Sequence, residues 1–187
     1  MENLYDKASE ILNQVKQAVV GKDDAIDNIF AAILAGGHIL IEDMPGVGKT
    51  TMALSFAKAM GISKKRIQFT TDIMPSDLVG FSIYDNETKL FKYQSGALMC
   101  NLFLADEINR TSPKTQAALL EVMEEKQITI DGETRMLDKF FRVIATENPI
   151  ETVGTFQLPE ALLDRFAMKI KVGYPSNEDE LLIAKRM

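Results

Sequence analysis

A single cysteine, Cys100, and a single histidine, His38, are all that 187 residues offer to soft-metal chemistry. One cysteine permits no intramolecular disulfide and no cysteine-rich zinc site, and one histidine cannot anchor a histidine-based metal centre. Long apolar runs are missing too. The longest, such as Ile29 to Ala35, are far too short to span a bilayer. The first residues, Met1-Glu2-Asn3-Leu4-Tyr5-Asp6, are polar and acidic and do not read as a secretory signal. Positive charge is not in excess. With 21 Lys+Arg against 27 Asp+Glu the net charge is −6, which argues against a surface built to hold nucleic acid or anionic lipid. A local basic pocket for a phosphate is still compatible with that balance. What is present is 46% hydrophobic residues, in a length that suits one large domain or one and a half small ones. The expectation is a soluble protein of a reducing cytosol, without membrane insertion or a nucleic-acid partner.

Two amphipathic helices open the chain. Leu4, Ala8, Ile11, Leu12, Val15, Ala18 and Val19 recur at helical spacing, the pattern breaks at Val20-Gly21-Lys22-Asp23, and Ile26, Ile29, Phe30, Ile33 and Leu34 form a second stripe. Gly36-Gly37 ends it. His38 to Glu42 is an apolar run without alternation, as in a strand covered on both faces, and His38 itself reads as a strand-edge or turn residue. A helix follows over Thr51 to Met60, then strands over Arg66 to Thr70 and Leu98 to Ala105. Ser112-Pro113 has the residue types of an N-cap and first helical position, opening a helix to about Glu125. Asp131-Gly132, between Ile128-Thr129-Ile130 and Thr134 to Leu137, is a two-residue hairpin signal, and a second turn lies near Asp85-Asn86. Phe141 to Ala145 and Met168 to Val172 are further strands, separated by a short helix from Pro159 to about Phe166. Strands alternating with helices predict an α/β fold: a parallel sheet sandwiched by helices, with the hairpins as additions.

Asp43-Met44-Pro45-Gly46-Val47-Gly48-Lys49-Thr50 carries the strongest chemical signal. The phosphate-loop pattern asks for Gly, four free positions, then Gly-Lys-Ser/Thr. Asp43 replaces the first glycine, while Gly46, Gly48, Lys49 and Thr50 are in place. A turn without bulky side chains lets backbone N–H groups converge on a phosphate, and the helix behind it adds its positive end. Lys49 would bridge β- and γ-phosphates, and Thr50 would offer its hydroxyl to Mg²⁺. An isolated match would be an ordinary turn. Here it follows a buried strand and opens a helix, the context that the mechanism requires.

Downstream, Asp106 ends a very apolar strand and can hold Mg²⁺ directly or through its water shell, while Glu107 can polarise a water for attack on the γ-phosphate. Two surface acids at a strand end is the bland alternative. Asn148 follows the apolar Val143-Ile144-Ala145, at a position where strand ends converge on a ligand crevice, and can orient the attacking water or touch the γ-phosphate. By itself Asn-Pro is an everyday turn starter. Cys100 reads as a core residue.

Taken in order, the phosphate loop, Leu104-Ala105-Asp106-Glu107-Ile108-Asn109-Arg110, Ala145-Thr146-Glu147-Asn148-Pro149-Ile150 and Leu158-Pro159-Glu160-Ala161-Leu162-Leu163-Asp164-Arg165-Phe166 resemble the MoxR family of AAA+ ATPases, from about Val19 to the last residue. Magnesium-chelatase ATPase subunits are the nearest similar group. The resemblance implies a P-loop NTPase core that binds ATP or ADP with Mg²⁺. In it the loop from Pro45 through Gly46 and Val47 to Thr51, with Lys49 and Thr50, matches Walker A, and Asp106 and Glu107 match Walker B. Asn148 matches sensor 1. Arg165 matches an arginine finger that serves the neighbouring subunit, and Val20 and Gly21 match the adenine-pocket segment. The hairpin at Asp131-Gly132 and the insertion from Phe81 to Gly96 match pore-side insertions. Glu147 stands where Gln is usual and Ala97 where Pro is common.

The resemblance further implies a core over residues 1–175 and the start of a helical lid at 176–187, the lid's sensor-2 arginine lying outside this sequence, so that the fragment alone is expected to hydrolyse ATP weakly. It implies a cytoplasmic, chaperone-like remodeller acting as a homo-oligomeric ring, expected to be a hexamer, with partners that carry von Willebrand factor A domains. A guanine-reading switch is disfavoured because no Asn-Lys-x-Asp string exists, and a small-molecule kinase does not need Glu107 beside Asp106. A nucleotide-gated binding module with little turnover is the remaining alternative.

Overall fold

The computed structural model describes residues 3–42, 47–149 and 154–186. Helices α1 (Leu4–Ala18) and α2 (Asp23–Leu34) lead into β1 (His38–Glu42), then α3 (Lys49–Ala59), β2 (Lys64–Gln68) and the short α4 (Pro75–Val79). A hairpin, β3 (Gly80–Asp85) and β4 (Leu90–Ser95), precedes β5 (Leu102–Asp106), a 3-10 turn at Ile108–Arg110 and α5 (Pro113–Glu125). A second hairpin, β6 (Gln127–Ile130) and β7 (Glu133–Met136), is followed by β8 (Arg142–Glu147), α6 (Glu160–Leu163), β9 (Phe166–Ile170) and α7 (Asn177–Arg186). Five strands pair in parallel in the order β2-β5-β8-β1-β9, and each hairpin forms its own two-stranded sheet. The expected α/β architecture with hairpin insertions is what forms.

Burial follows position in that order. The central strands β1, β5 and β8 are buried almost throughout, whereas β2 at one edge and β9 at the other alternate in exposure. Successive side chains of a strand point to opposite faces. Ile39, Ile41, Leu102, Leu104 and Ile144 accordingly meet Val15, Ile26, Ile29, Met52 and Phe56 of α1, α2 and α3. Leu40, Phe103, Ala105, Val143 and Ala145 meet Leu119, Val122 and Met123 of α5 on the other side. Two cores on one sheet hold the strand ends still, which is what the site requires of the fold.

Several boundaries differ from the sequence reading. The second strand runs Lys64–Gln68 rather than Arg66 to Thr70, because pairing with β5 sets its register from Lys64↔Leu102 to Gln68↔Asp106. Of the Leu98–Ala105 run only Leu102 onward is strand, and that strand continues to Asp106. Leu98 and Cys100 are buried in turns, where the Leu98 N–H donates to Leu78 O and the Cys100 N–H to Leu98 O. Burial pushes the Cys100 thiol up to about 11, in keeping with a core residue. The α6 helix is shorter than expected, and β9 begins at Phe166 rather than Met168. On α1 the stripe holds from Ala8 onward, with Ala8, Ile11 and Leu12 half-buried against the core and Val15 and Val19 buried, while Leu4 and Ala18 are exposed. Leu34 of α2 is exposed as well. The Ser112 hydroxyl accepts from Thr115 N–H with Pro113 at the first turn, and Asp131 (φ 52°) and Gly132 (φ 78°) make the left-handed two-residue hairpin turn, both as read.

His38 is neither at a strand edge nor in a turn. It begins β1 inside the sheet, between β8 and β9, is 6% exposed, and its Nδ1 accepts the Val143 N–H at 2.9 Å. Burial lowers its pKa to about 4, opposed by a hydrogen bond at the Met123 backbone and assisted by the Arg142 and Lys126 charges. The unfolded chain, with an ordinary histidine pKa near 6.5, therefore binds a proton that the folded chain refuses. Stability is expected to be full above about pH 6.5 and to fall between there and pH 4, by up to about 3 kcal/mol from this residue. Urea melts of wild type and His38→Asn across that range test this. The variant keeps an acceptor for Val143 and is expected to flatten the slope, and an unchanged slope would remove His38 as its source.

Candidate nucleotide site

Parallel strands deliver their C-terminal ends to one rim of the sheet, and ligand crevices form there. On this rim stand the ends of β1, β5 and β8, with the N-terminus of α3 opposite them. Gly48 caps α3 in the left-handed region at φ 88°, and open space surrounds the point where a Cβ would sit. Glycine is required there by the backbone angle rather than by crowding. Lys49 and Thr50 open the helix, where the first-turn N–H groups and the helix dipole favour an anion. Lys49 is buried, at 9% exposure.

Asp106 at the end of β5 is 5% exposed and fully engaged. Its Oδ2 accepts from the Thr50 hydroxyl at 2.9 Å and from Arg66 Nε and Nη2 at 2.9 and 2.8 Å, and its Oδ1 accepts from the Thr146 hydroxyl at 2.8 Å. Glu107 next to it holds a left-handed backbone (φ 56°, ψ 50°), uncommon for any residue with a Cβ. Its N–H donates to the Thr146 hydroxyl at 2.9 Å, and its carboxylate pairs with Arg110 at 3.3 Å. Asn148 is buried and its backbone carbonyl accepts from Asn109 Nδ2 at 3.2 Å.

Thr50, Lys49, Asp106, Glu107 and Asn148 share one polar cleft of about 340 Å³ with Gly48, Thr51, Arg66, Gln68 and Thr146. A second, more apolar cleft of about 320 Å³ is lined by Val19, Val20, Val47, Pro175 and Ile183 among others, and it too includes Gly48 and Thr51. The two meet at the start of α3. A charged end and an apolar end joined across a helix N-terminus suit a molecule with phosphates at one end and a flat ring at the other.

Most of the residues singled out in the sequence thus come together. Gly21 does not line the apolar cleft. It has φ 72°, and a side chain there would overlap the Asp179 carboxylate of α7, so its smallness lets α7 approach the α1–α2 turn. Arg165 stands apart from the polar cleft, on the surface, where its Nη2 meets Glu124 at 2.9 Å. Pro45 and Gly46, with Asp43 and Met44, lie outside the described residues. Arg66, Gln68 and Thr146 were not anticipated. Polar residues at the C-terminal ends of parallel strands, Thr146 above all after Val143-Ile144-Ala145, were the available signal. Glu147 pairs with Lys169 at 3.3 Å, and Lys169 also meets Glu42 at 2.9 Å.

For a divalent cation the donor set at hand is the Thr50 hydroxyl and the Asp106 carboxylate, hard oxygens of the kind Mg²⁺ takes alongside phosphate and water. Among the described residues no group of three or more His, Cys, Asp or Glu side chains is placed to hold a metal by itself. The site therefore fits a cation that arrives with phosphates. No helix among the described residues is long and apolar enough to cross a membrane.

Residues 38–168 match the family model described as the ATPase family associated with various cellular activities (AAA). The chain is 52% identical over 180 residues to the uncharacterized protein YeaC of Bacillus subtilis (strain 168), covering 96% of this chain and 56% of that protein. It is 45% identical over 174 residues to the chaperone MoxR1 of Mycobacterium tuberculosis, covering 93% and 46% respectively. A crystal structure from Cytophaga hutchinsonii superposes with a TM-score of 0.87 at 45% identity, covering 97% of this chain and 55% of that one. The chain thus spans about half the length of the relatives it matches. A parallel sheet with the phosphate loop after β1, the acidic pair after β5 and these relatives agree: the chain belongs to the AAA family of ATPases, on its MoxR branch.

Proposed function

We propose that this chain is the ATP-binding and ATP-hydrolysing motor domain of a chaperone-like remodeller, dependent on Mg²⁺ and working in the cytoplasm as a homo-oligomeric ring, a hexamer. The observation that carries this reading is the contact between Thr50 Oγ1 and Asp106 Oδ2, in one cleft with Glu107 and Asn148. In the proposed mechanism Lys49 and the backbone N–H groups at the start of α3 bind the phosphates, while Val20 and Val47 take up the base. Thr50 and Asp106 hold the Mg²⁺, which when bound neutralises charge on the phosphate oxygens. Glu107 accepts the proton of the attacking water at its carboxylate, and Asn148 orients that water. Arg165, outside its own cleft, serves the site of the next subunit. In the proposed domain plan residues 1–175 are the core, and α7 opens a helical lid over residues 176–187. The MoxR resemblance also supports partners with von Willebrand factor A domains, and the net charge of −6 supports a client that is not nucleic acid.

Arg66 on Asp106 and Arg110 on Glu107 favour one other reading, a nucleotide-gated module whose acidic pair is held by arginines and turns over little. Glu107→Gln separates the two in the full-length protein. A motor is expected to keep its affinity for Mg·ATP within about twofold and to lose turnover by roughly 100-fold or more, since the amide keeps the shape and cannot take a proton. Turnover at the wild-type rate would exclude Glu107 as the base.

A further inference from the structure

Thr146 is the one hydroxyl residue of β8, directly after Val143, Ile144 and Ala145, and it is completely buried. Its partners dictate how its single proton is used. The Asp106 carboxylate only accepts, so the Thr146 O–H must point at Oδ1, 2.8 Å away. The lone pairs are then free to accept, and the Glu107 N–H lies 2.9 Å off. One oxygen on β8 therefore holds the carboxylate of one functional residue and the backbone of the next, both on the neighbouring strand's end.

We propose that Thr146 is a positioning residue that sets Asp106 and Glu107 together for ATP hydrolysis, a reading that rests on the proposed function. Anchoring Oδ1 fixes the plane of the Asp106 carboxylate and so aims Oδ2 at Thr50, the pair offered to Mg²⁺. Anchoring the Glu107 N–H holds that residue in its left-handed conformation, which local sterics oppose for any side chain with a Cβ, and so sets the direction in which its carboxylate leaves the chain. Loss of the hydroxyl leaves a buried acceptor and a half-buried donor without these partners at the same time. Thr146 lines the polar cleft and not the apolar one, and its hydrogen bonds there go to Asp106 and Glu107, so its effect should fall on chemistry and metal more than on nucleotide binding.

Thr146→Val has nearly the same shape without the hydroxyl, and Thr146→Ser keeps the hydroxyl without the methyl. In the full-length protein Val is expected to lower kcat at least about tenfold and to raise the Mg²⁺ concentration for half-activity, with the affinity for metal-free ADP within about twofold of wild type; Ser is expected to recover most of kcat. Hydrogen exchange gives a readout that does not need turnover. The Glu107 amide is expected to exchange at least about tenfold faster in Val than in wild type or Ser, while the β5 amides stay protected. Wild-type kcat in Val would overturn the proposal, as would an equal loss of kcat in Ser. If Val does not fold, Ser against Thr146→Ala decides, since only Ser retains the hydroxyl: equal rates in the two overturn it. If the wild type hydrolyses no ATP, the functional reading fails by itself, and the Glu107 exchange rates still tell whether Thr146 holds that residue.

Discussion

Replacing Lys49 by alanine is expected to weaken Mg·ATP binding by at least about 100-fold, close to 3 kcal/mol, and to abolish turnover with it. Lys49 stands at the start of α3. Phosphate contacts there would come from backbone N–H groups and a helix dipole, which carry partial charges, and Lys49 is the full positive charge on that turn. It is buried beside the cleft, so its contact to a phosphate would be made with little competing water, and charge-assisted contacts are the strong ones. Arg66 does not replace it, being committed to Asp106 through two nitrogens. Calorimetric titration of Mg·ATP into wild type and variant measures the loss, and circular dichroism melts check that α3 still folds. Equal affinities would remove the phosphate-loop assignment altogether.

Arg165→Ala is expected to reduce turnover on the order of 10³-fold while leaving nucleotide affinity nearly unchanged, provided the protein works as a ring. Within one chain Arg165 lies outside the polar cleft proposed for the phosphates. It follows α6 and is paired on the surface with Glu124. As a surface ion pair alone it contributes at most about 1 kcal/mol, and its removal would leave turnover almost untouched. As a finger reaching into the neighbour's site it stabilises charge on the transferring phosphoryl group. Mixing separates these cases. Arg165→Ala and Glu107→Gln rings are each expected to be nearly inactive, but mixed rings contain interfaces where an intact Glu107 faces an intact Arg165. Partial recovery on mixing is the expected result. No recovery despite confirmed co-assembly would refute a shared site, and a nearly wild-type Arg165→Ala ring would return the residue to the role of a surface partner for Glu124.

Much of the nucleotide site was legible because its signals are local. The turn before Lys49 and the acidic pair after an apolar strand can each be read within about a helical turn of sequence, and Gly48, Lys49, Thr50, Asp106 and Glu107 line one polar cleft. The capping of α5 by Ser112 and the hairpin turn at Asp131-Gly132 are equally local and form as read. Errors fell where a neighbour decides. The run from Leu98 is as apolar as a strand, but only Leu102 onward finds a partner in β2, and the earlier residues are buried by turns instead. Leu4 has helical spacing like Val15, but the core does not extend to the first turn of α1.

By itself the sequence pointed to most strands and helices of the core, to a parallel sheet, and to the residues proposed to hold a phosphate and a cation. Periodicity, caps and motif spacing are properties of short stretches, and short stretches carry them whatever surrounds them. Only the tertiary structure decided the strand order β2-β5-β8-β1-β9, the burial of His38 inside the sheet, and the partners of the acidic pair. Arg66 and Thr146 are each 40 positions from Asp106, on the strands either side of β5, and both reach it because β2 and β8 flank that strand in this register. A hydrogen bond between strands depends on adjacency and register together, and no single strand's pattern contains either.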